Sequence, residues 1–216
     1  KNYQQIFSTY GSMDNLVDKI ILIWNNEQSL PPSPPSSAVE IVSVIAKTNS
    51  LNNRFNVSHL IKTSSAISVD DDRLLSKYLI EAMMQKHIDT PQQIIGIDER
   101  SYKENGDYLY KVPSGFPIMA LTGSALIPTA YLDMYTSNEI LRNYVDAKFN
   151  CEDIAMNFLV RSITKKDPIS IRLDQSVNFV KLNDADGLST SKQKNKEPWT
   201  LTRSNCVRFF RRHFSL

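Results

Sequence analysis

Short apolar runs alternate along this chain with segments in which apolar residues recur every three or four positions. The apolar runs predict strands at 20–24, 39–45, 66–69 and 94–97, of which those at 20–24 and 66–69 are expected to be buried. Two shorter β-like runs lie at 169–173 and 179–182. The periodic segments predict amphipathic helices at 3–10, 74–83, 140–145 and 154–159, and a last helical segment that opens at Arg203. This alternation predicts a single α/β layered domain over residues 1–216.

The segments between these elements carry turn and loop signals. Four prolines in residues 30–37 predict an extended surface loop, residues 101–115 predict a polar loop or hairpin, and the polar stretch 183–198 predicts a further loop. In the apolar run 119–127, Gly123 predicts a bulge or a close approach of the backbone to a ligand.

The composition is that of an ordinary globular protein, with 41% hydrophobic and 22% charged residues, which argues against disorder. The net charge of +2 gives no indication of nucleic acid as a partner. No run approaches the roughly 18 apolar residues that span a bilayer, and no signal-peptide pattern opens the chain. Because the first residue is Lys1 rather than Met, we interpret the chain as a fragment, so neither absence indicates a cytosolic location.

Three adjacent aspartates, Asp70, Asp71 and Asp72, follow the predicted strand 66–69. Adjacent carboxylates repel one another, and Mg²⁺ or Mn²⁺ is a common counter-charge because these ions prefer oxygen ligands and leave positions open for phosphate oxygens. The alternative is a solvated acidic turn that caps the next helix. In α/β folds ligands bind at the carboxyl ends of strands, and the triplet lies at such an end.

Two further segments have both a structural and a functional interpretation. Asn49 and Arg54 belong to a polar, Asn-rich turn, yet an arginine also suits phosphate because its planar fork donates two hydrogen bonds at once. Asn150 fits the cap of the helix that follows, with Glu152 and Asp153 as first-turn acids and Asp153 placed to reach back to the cap.

The two cysteines, Cys151 and Cys206, are compatible with two buried thiols in a reducing compartment or with one disulfide. A disulfide closing a loop of this length could contribute roughly 4 kcal/mol in the chain-entropy model, and the sequence leaves both alternatives open.

Five stretches, in this order, resemble the exostosin-like glycosyltransferase domain (the family 64 glycosyltransferases), and the resemblance covers about residues 3–210. They are 19–26, 49–55, 70–72, 121–125 and 150–160, of which Asn150-Cys151-Glu152-Asp153-Ile154-Ala155-Met156-Asn157-Phe158 is the most specific. The resemblance implies a GT-A fold, a three-layer αβα sandwich with a mixed sheet. It also implies retaining transfer of a sugar, commonly an N-acetylhexosamine, from a UDP-sugar donor to a glycan or glycolipid acceptor, assisted by Mn²⁺ or Mg²⁺.

The same resemblance implies roles for individual residues. Asp70 and Asp71 are expected toward the ribose and the sugar, Asp72 toward the metal and the diphosphate, and Asn49 and Arg54 near the uridine and donor sugar. Asp153 matches the proposed catalytic acid, flanked by Asn150 and Glu152, and Arg203 matches an arginine that contacts the donor. Cys151 and Cys206 match a disulfide pair. The resemblance thus favours the Golgi or endoplasmic reticulum lumen, with a membrane-anchored full-length protein and a homodimer as further expectations.

The implied residues make chemical sense for sugar transfer. Negative charge grows on the β-phosphate as UDP leaves, and a metal ion and Arg203 would stabilise it. Asp153 would orient the acceptor hydroxyl or steady an oxocarbenium-like sugar. A front-face attack and a double displacement both remain open.

Two departures from the family pattern qualify these expectations. The family begins with a strand and a turn that help to hold the nucleotide, and this chain starts after them, so we expect this stretch alone to be unstable or inactive. Asp98-Glu99-Arg100 stands where members often have Pro-Arg, which adds acid near the site. The competing functions are a binding module of the same fold without turnover and, less well supported, a metal-dependent phosphohydrolase.

Overall fold

The computed structural model describes residues 3–171, 179–182 and 198–216. Within them the chain forms a mixed α/β structure of six α-helices and eleven short strands. The helices are α1 (Tyr3–Gly11), α2 (Lys77–Asp89), α3 (Thr129–Ser137), α4 (Glu139–Lys148), α5 (Glu152–Thr164) and α6 (Trp199–Phe214). The strands are β1 (Lys19–Trp24), β2 (Glu40–Ile45), β3 (Ser65–Val69), β4 (Arg73–Leu75), β5 (Ile95–Gly96), β6 (Glu99–Tyr102), β7 (Tyr108–Leu109), β8 (Ile118–Ala120), β9 (Ser124–Pro128), β10 (Ile169–Ser170) and β11 (Phe179–Lys181).

A mixed four-stranded sheet in the order β10-β5-β9-β3 lies at the centre of the described structure. Strand β10 is parallel to β5, whereas β9 is antiparallel to both of its neighbours. The other strands pair as parallel β1-β2, antiparallel β11-β4 and the antiparallel three-stranded β7-β6-β8.

Two apolar clusters pack against the central sheet. In β9, Ala125 and Ile127 belong to a cluster built with α3, α4, α5 and α6, whereas Leu126 belongs to a second cluster built with α1 and α2. Because successive side chains of a strand point to opposite faces, the two clusters lie on opposite faces of β9. Helices therefore cover both faces of the central sheet.

Most predicted elements are confirmed, and the boundaries that differ have physical reasons. The strands at 20–24 and 66–69 are half-buried and not buried as the sequence predicts, because β1 belongs to a separate two-stranded sheet and β3 is an edge strand of the central sheet. The helix predicted at 74–83 begins only at Lys77, where Ser76 caps it, since Leu74 and Leu75 pair with β11 instead. The last helix begins at Trp199, one turn before Arg203.

The apolar run 119–127 is not one strand. It divides into β8 and β9, which lie in different sheets, and Gly123 belongs to the turn between them. Helix α3 was not predicted at all. Its sequence contains β-branched and aromatic residues with modest helix propensity, so its helical form depends on tertiary packing of Tyr131, Leu132 and Tyr135, which are buried.

The helix cap predicted at Asn150 is one residue too early. Cys151 is the residue before α5, in the left-handed conformation with φ 77°, and makes no side-chain capping bond. The Asn150 side chain instead accepts a bond from the backbone N–H of Cys151 at 2.8 Å. Asp153 does not reach back to the cap either, since its Oδ1 accepts from the N–H of Ile154 at 2.7 Å.

Within the described residues, no helix is both long and apolar enough to cross a membrane. The loop predicted at 183–198 falls almost wholly outside the described residues.

Candidate active site

The aspartate triplet begins where β3 ends, beside the turn between β8 and β9. The backbone N–H of Asp70 donates to the carbonyl oxygen of Gly123 at 2.9 Å, and the carboxylate packs directly over this glycine. A Cβ atom at position 123 would lie 2.2 Å from Oδ2 of Asp70. The sequence predicted a bulge or a close approach of the backbone to a ligand at Gly123. In the structure, the group that lies close to this glycine is the Asp70 carboxylate.

Arg54 joins the triplet to the start of α5. Its Nη2 lies 3.0 Å from Oδ1 of Asp70, and its Nε lies 3.6 Å from Oε1 of Glu152. Burial lowers the pKa of this guanidinium, but the charges of Glu152 and Asp70 outweigh burial, so the net direction of the pKa shift is upward. Arg54 thus remains a cation and holds two acidic segments together.

A buried polar network positions the short 3₁₀ helix Leu51–Arg54 that carries Arg54. Ser50 caps this helix by accepting a bond from the N–H of Asn52 at 3.1 Å. The Asn52 side chain donates to Asp146 of α4 at 2.8 Å and accepts from the hydroxyl of Tyr135 at 2.7 Å. Because α3 and α4 both hold the 3₁₀ helix, the direction of Arg54 is fixed by the fold and not by its local sequence.

Glu152 and Asp153 occupy the first turn of α5, where acids complement the helix dipole. Their surroundings go beyond that role, because Asp153 is only 7% exposed and the Glu152 side chain is only 13% exposed. Burial, followed by the charges of Asp153 and Asp70, raises the pKa of Glu152 to about 7, while Arg54 acts in the opposite direction. A carboxyl that titrates near neutral pH can hold or release a proton under physiological conditions.

Asn157, one turn further along α5, attaches the helix to β8. Its side-chain amide donates to the carbonyl oxygen of Ala120 at 2.7 Å, and its oxygen accepts from the N–H of Ala120 at 2.9 Å. The same amide donates to the carbonyl oxygen of Asp153 at 2.7 Å. The backbone of Asp153 is therefore positioned relative to the sheet.

Arg203 of α6 faces the same acidic region. Its Nη1 donates to the hydroxyl of Tyr108 at 3.1 Å, and the guanidinium lies 5.2 Å from the ring centre of Tyr108 and 5.8 Å from that of Trp199. Burial lowers the pKa of Arg203, but the carboxylate of Asp153 and other neighbouring groups raise it, and the net shift is upward. Its Nε is buried without a hydrogen-bond partner within the described residues.

The disulfide between Cys151 and Cys206 is present, with 6.4 Å between the two Cα atoms. The sequence left open whether these cysteines are two thiols or one disulfide, and the structure contains the disulfide. The bond links the residue before α5 to the middle of α6, so it joins the helix that carries Glu152 and Asp153 to the helix that carries Arg203.

The remaining predicted site residues lie apart from this charged network. Asn49 is exposed, and its backbone N–H donates to Glu27 at 3.3 Å. Asn150 is buried, with its side-chain oxygen bonded to the next backbone N–H. Asp71 is exposed and accepts a bond from the hydroxyl of Tyr3 at 3.1 Å.

Asp72 is the triplet member best placed to offer oxygen to a cation. Its side chain is half-buried, its backbone carbonyl bonds Leu182 at 2.7 Å, and its carboxylate has no partner among the described residues. Within the same residues, no group of three or more His, Cys, Asp or Glu side chains could hold a metal. A cation here would therefore take few protein ligands and most of its coordination from a bound ligand.

Several residues near the site were not singled out from the sequence. Thr122 accepts a bond from Arg54 at 3.5 Å. Tyr108 lines a narrow cavity together with Asp153 and with Arg100, which was already named from the sequence in the segment 98–100. Tyr108 lies in the polar hairpin 101–115, where no sequence pattern distinguished it. The acid expected from Asp98 is compensated by an ion pair with Arg73.

A wider cavity of about 370 Å³ lies elsewhere, lined among others by Tyr102, Phe116, Arg161 and Arg211. It includes none of the predicted site residues, and the chemistry argued above does not depend on it.

Comparisons with known proteins agree with the resemblance that the sequence motifs carry. The model of the Glycosyl transferase family 64 domain matches residues 1–216. The chain is 35% identical over 158 residues to an exostosin-like-3 homolog from Caenorhabditis elegans and 33% identical over 162 residues to exostosin-1 from Cricetulus griseus, in each case over 71% of this chain. It is 30% identical over 201 residues, 90% of this chain, to glucosamine inositolphosphorylceramide transferase 1 from Arabidopsis thaliana.

The matched segments make up 19%, 22% and 26% of these three relatives, so the chain spans about a quarter of their length or less. The family assignment therefore concerns this domain. Because the family model matches every residue of the chain, the chain belongs to the glycosyltransferase family 64 domain family.

Proposed function

We propose that this domain transfers a sugar, an N-acetylhexosamine, from a UDP-sugar to a glycan or glycolipid acceptor with retention of anomeric configuration. The proposal includes a GT-A arrangement of three αβα layers, which the helices on both faces of the central sheet support. The name of the Arabidopsis thaliana relative specifies a glucosamine and a ceramide-based lipid, which supports a glycolipid as one class of acceptor.

The observation that carries the proposal is a partly buried network of charged side chains from three segments of the chain, with side-chain exposures of 24% for Arg54, 41% for Asp70 and 13% for Glu152. Arg54 bridges Asp70, at the end of β3, and Glu152, at the start of α5. Burying ionised groups costs several kcal/mol for each ion even when the groups are paired. Arg54 and Glu152 bear most of this cost, because their side chains are only 24% and 13% exposed. Charged groups desolvated beside the carboxyl end of a strand are better explained by binding and catalysis than by stability.

The charged side chains of the site would contact different parts of a nucleotide-sugar, some the nucleoside and sugar and others the metal-bound diphosphate. Asp70 and Asp71 would face the ribose and sugar hydroxyls, and Arg54, with Asn49 nearby in sequence, would face the uridine and donor sugar. The Asp72 carboxylate has no partner among the residues that the structure describes, and it would bind the divalent cation, because Mg²⁺-type ions are commonly bound by one or two carboxylates plus substrate phosphates. When bound, such a cation (Mn²⁺ or Mg²⁺) would offset the negative charge of the diphosphate.

Arg203 and Asp153 are assigned to the reaction itself. Arg203 keeps its positive charge and has a buried Nε without a partner among the described residues, so it can donate to the leaving diphosphate as negative charge grows there. Asp153 is buried beside Arg203 and can orient the acceptor hydroxyl or steady the positive charge of the sugar ring. Glu152 and Asn150 flank Asp153, and Glu152 couples it to Arg54.

The disulfide supports an oxidising compartment, and we place the domain in the Golgi or endoplasmic reticulum lumen on this ground. Membrane anchoring of the full-length protein and homodimerisation stay predictions from the family resemblance.

The first experiment is calorimetric titration of UDP into the full-length protein, with and without Mn²⁺, for the wild type and for Asp72→Asn. Asp14→Asn serves as the matched control, because it makes the same chemical change at an exposed carboxylate. We expect UDP binding that requires Mn²⁺ and is lost in Asp72→Asn but not in Asp14→Asn. Equal binding without metal would remove the proposed metal–diphosphate site.

The second experiment separates a transferase from a binding module. UDP release from a UDP-N-acetylhexosamine is measured with and without a panel of glycan and glycolipid acceptors, for the wild type and for Asp153→Asn. Release that depends on acceptor and is lost in the variant supports transfer. Tight UDP binding without acceptor-dependent release would leave the binding module as the better account.

A further inference from the structure

We propose that Asn56 is a site of N-linked glycosylation. Asn56-Val57-Ser58 has the acceptor pattern Asn-x-Ser with a residue other than proline in the middle. This pattern often occurs by chance, so the proposal depends on where the structure places the asparagine and on the compartment that the fold indicates.

The backbone around Asn56 directs its side chain outward. The neighbouring residues Phe55 and Val57 are buried, at 0% and 5% exposure, whereas Asn56 is exposed. The backbone N–H of Asn56 bonds the carbonyl oxygen of Asn53 at 3.2 Å, in the turn between two short 3₁₀ helices. Among the described residues, the Asn56 side-chain amide has no hydrogen-bond partner, so a bulky glycan on this amide would displace no internal contact.

The disulfide provides the second, independent observation. Cys151 and Cys206 are fully buried and bonded to each other, which is typical of proteins that fold in an oxidising compartment such as the endoplasmic reticulum lumen. Glycans are transferred to asparagine in that same compartment. The exposed acceptor Asn56 thus belongs to a domain whose disulfide indicates the compartment in which asparagine is glycosylated.

The modification is a substitution at the anomeric carbon of a lipid-diphosphate-linked oligosaccharide. Nδ2 of Asn56 forms a bond to that carbon, the bond from the carbon to the diphosphate oxygen breaks, and the lipid diphosphate leaves. One amide proton is lost to a base of the transferring enzyme. In the folded domain the Ser58 hydroxyl is bonded to Asp133 of α3, so we infer that transfer precedes the packing of Ser58 against α3.

The glycan would not cover the candidate active site. Arg54, two residues earlier, pairs with Asp70 and Glu152, whereas Asn56 is exposed and makes no hydrogen bond with these residues among the described ones. We therefore expect UDP affinity to be the same in the wild type and in Asn56→Gln. The proposal does not rest on sugar transfer by this domain, and the two can fail separately.

The test uses the full-length protein produced in a eukaryotic secretory pathway, with occupancy measured on the peptide that contains Asn56. Enzymatic removal of N-glycans in heavy-oxygen water converts an occupied Asn56 to a labelled aspartate, which mass spectrometry detects. The variants are Asn56→Gln, Ser58→Ala and Ser58→Thr. Ser58→Thr is the matched control, because it keeps both the acceptor motif and a hydroxyl that can bond Asp133.

We expect the label in the wild type and in Ser58→Thr and its absence in Ser58→Ala and Asn56→Gln. An unlabelled Asn56 in the wild type and in Ser58→Thr would overturn the proposal. Label that persists in Ser58→Ala would overturn it as well, because spontaneous deamidation would then explain the signal.

Discussion

Replacement of Glu152 by glutamine should change how the stability of this domain depends on pH. Burial, followed by the neighbouring charges of Asp153 and Asp70, raises the pKa of Glu152 from 4.5 to about 7 in the folded domain. In the unfolded chain the group returns to the ordinary value of about 4.3. Between these two pH values the folded state binds more protons than the unfolded state, so the free energy of unfolding falls as the pH rises from about 4.5 to 7.

The size of this change in the free energy of unfolding follows from the pKa shift of Glu152. One pKa unit corresponds to about 1.4 kcal/mol, so ionisation of Glu152 lowers the free energy of unfolding by about 3 kcal/mol across this interval. The side chain is only 13% exposed, so solvent screening reduces this figure little. Glutamine does not titrate, and the variant should lack this part of the pH dependence. For a domain of this size the difference corresponds to roughly 6–12 °C in Tm.

The assay is differential scanning calorimetry of the wild type and Glu152→Gln at several pH values between about 5 and 8. Glu139→Gln is the matched control, because Glu139 also lies in the first turn of a helix but is exposed. We expect the control to follow the wild type, while Glu152→Gln gains relative stability as the pH rises. Parallel profiles for all three proteins would show that Arg54 compensates the ionised carboxylate fully and would refute the reasoning.

Three further perturbations test how the site is held together. Gly123→Ala should weaken UDP binding at least tenfold with little change in circular dichroism, because its Cβ would lie 2.2 Å from Oδ2 of Asp70; unchanged affinity would contradict the close packing. Cys206→Ser opens the disulfide loop, whose cysteines are 55 positions apart, and should lower the free energy of unfolding by about 4 kcal/mol. Chemical denaturation measures this change, and an unchanged free energy of unfolding would contradict the chain-entropy argument. Asn52→Ala removes buried side-chain hydrogen bonds and should lower the free energy of unfolding by about 2–3 kcal/mol in the same assay. A change below about 0.5 kcal/mol, which is usual for surface substitutions, would argue against the polar network around Asn52.

The sequence predicted the strands and amphipathic helices well where a local pattern encodes them. The end of β3 at the aspartate triplet, for example, follows from an apolar run that stops at Asp70. The pattern failed where tertiary contacts decide between alternatives. Leu74 and Leu75 fit the apolar face of a helix, but pairing with β11 places them in a strand, and the residues of β11 lie more than 100 positions away in the sequence.

In the candidate site, too, the sequence pointed to individual residues but not to their tertiary contacts. Residue types and motif order identified Arg54, Glu152, Asp153 and Arg203, and the structure brings Arg54 and Glu152 into an ion pair. The sequence could not reveal which carboxylate each arginine would meet, because these contacts depend on tertiary packing; Arg54 and Glu152, for example, lie 98 positions apart in the sequence. It also could not single out Tyr108, whose contact with Arg203 depends on how the β6–β7 hairpin packs against α6.

Three different interactions hold the first turn of α5 in place. The disulfide holds its preceding residue to α6, Asn157 binds its second turn to β8, and Arg54 pairs with Glu152 from the opposite side. If Glu152 and Asp153 served only to complement the helix dipole, exposed acids would suffice at a gain of about 0.3–1 kcal/mol, as an acid does at the exposed start of α4. Burying them instead raises the pKa of Glu152 and requires an arginine that must itself be desolvated. The fold thus uses a disulfide, a buried amide and an ion pair to hold two carboxyls with little solvent exposure in one place, and the proposed role of these carboxyls and Arg203 in binding a nucleotide-sugar requires such an arrangement.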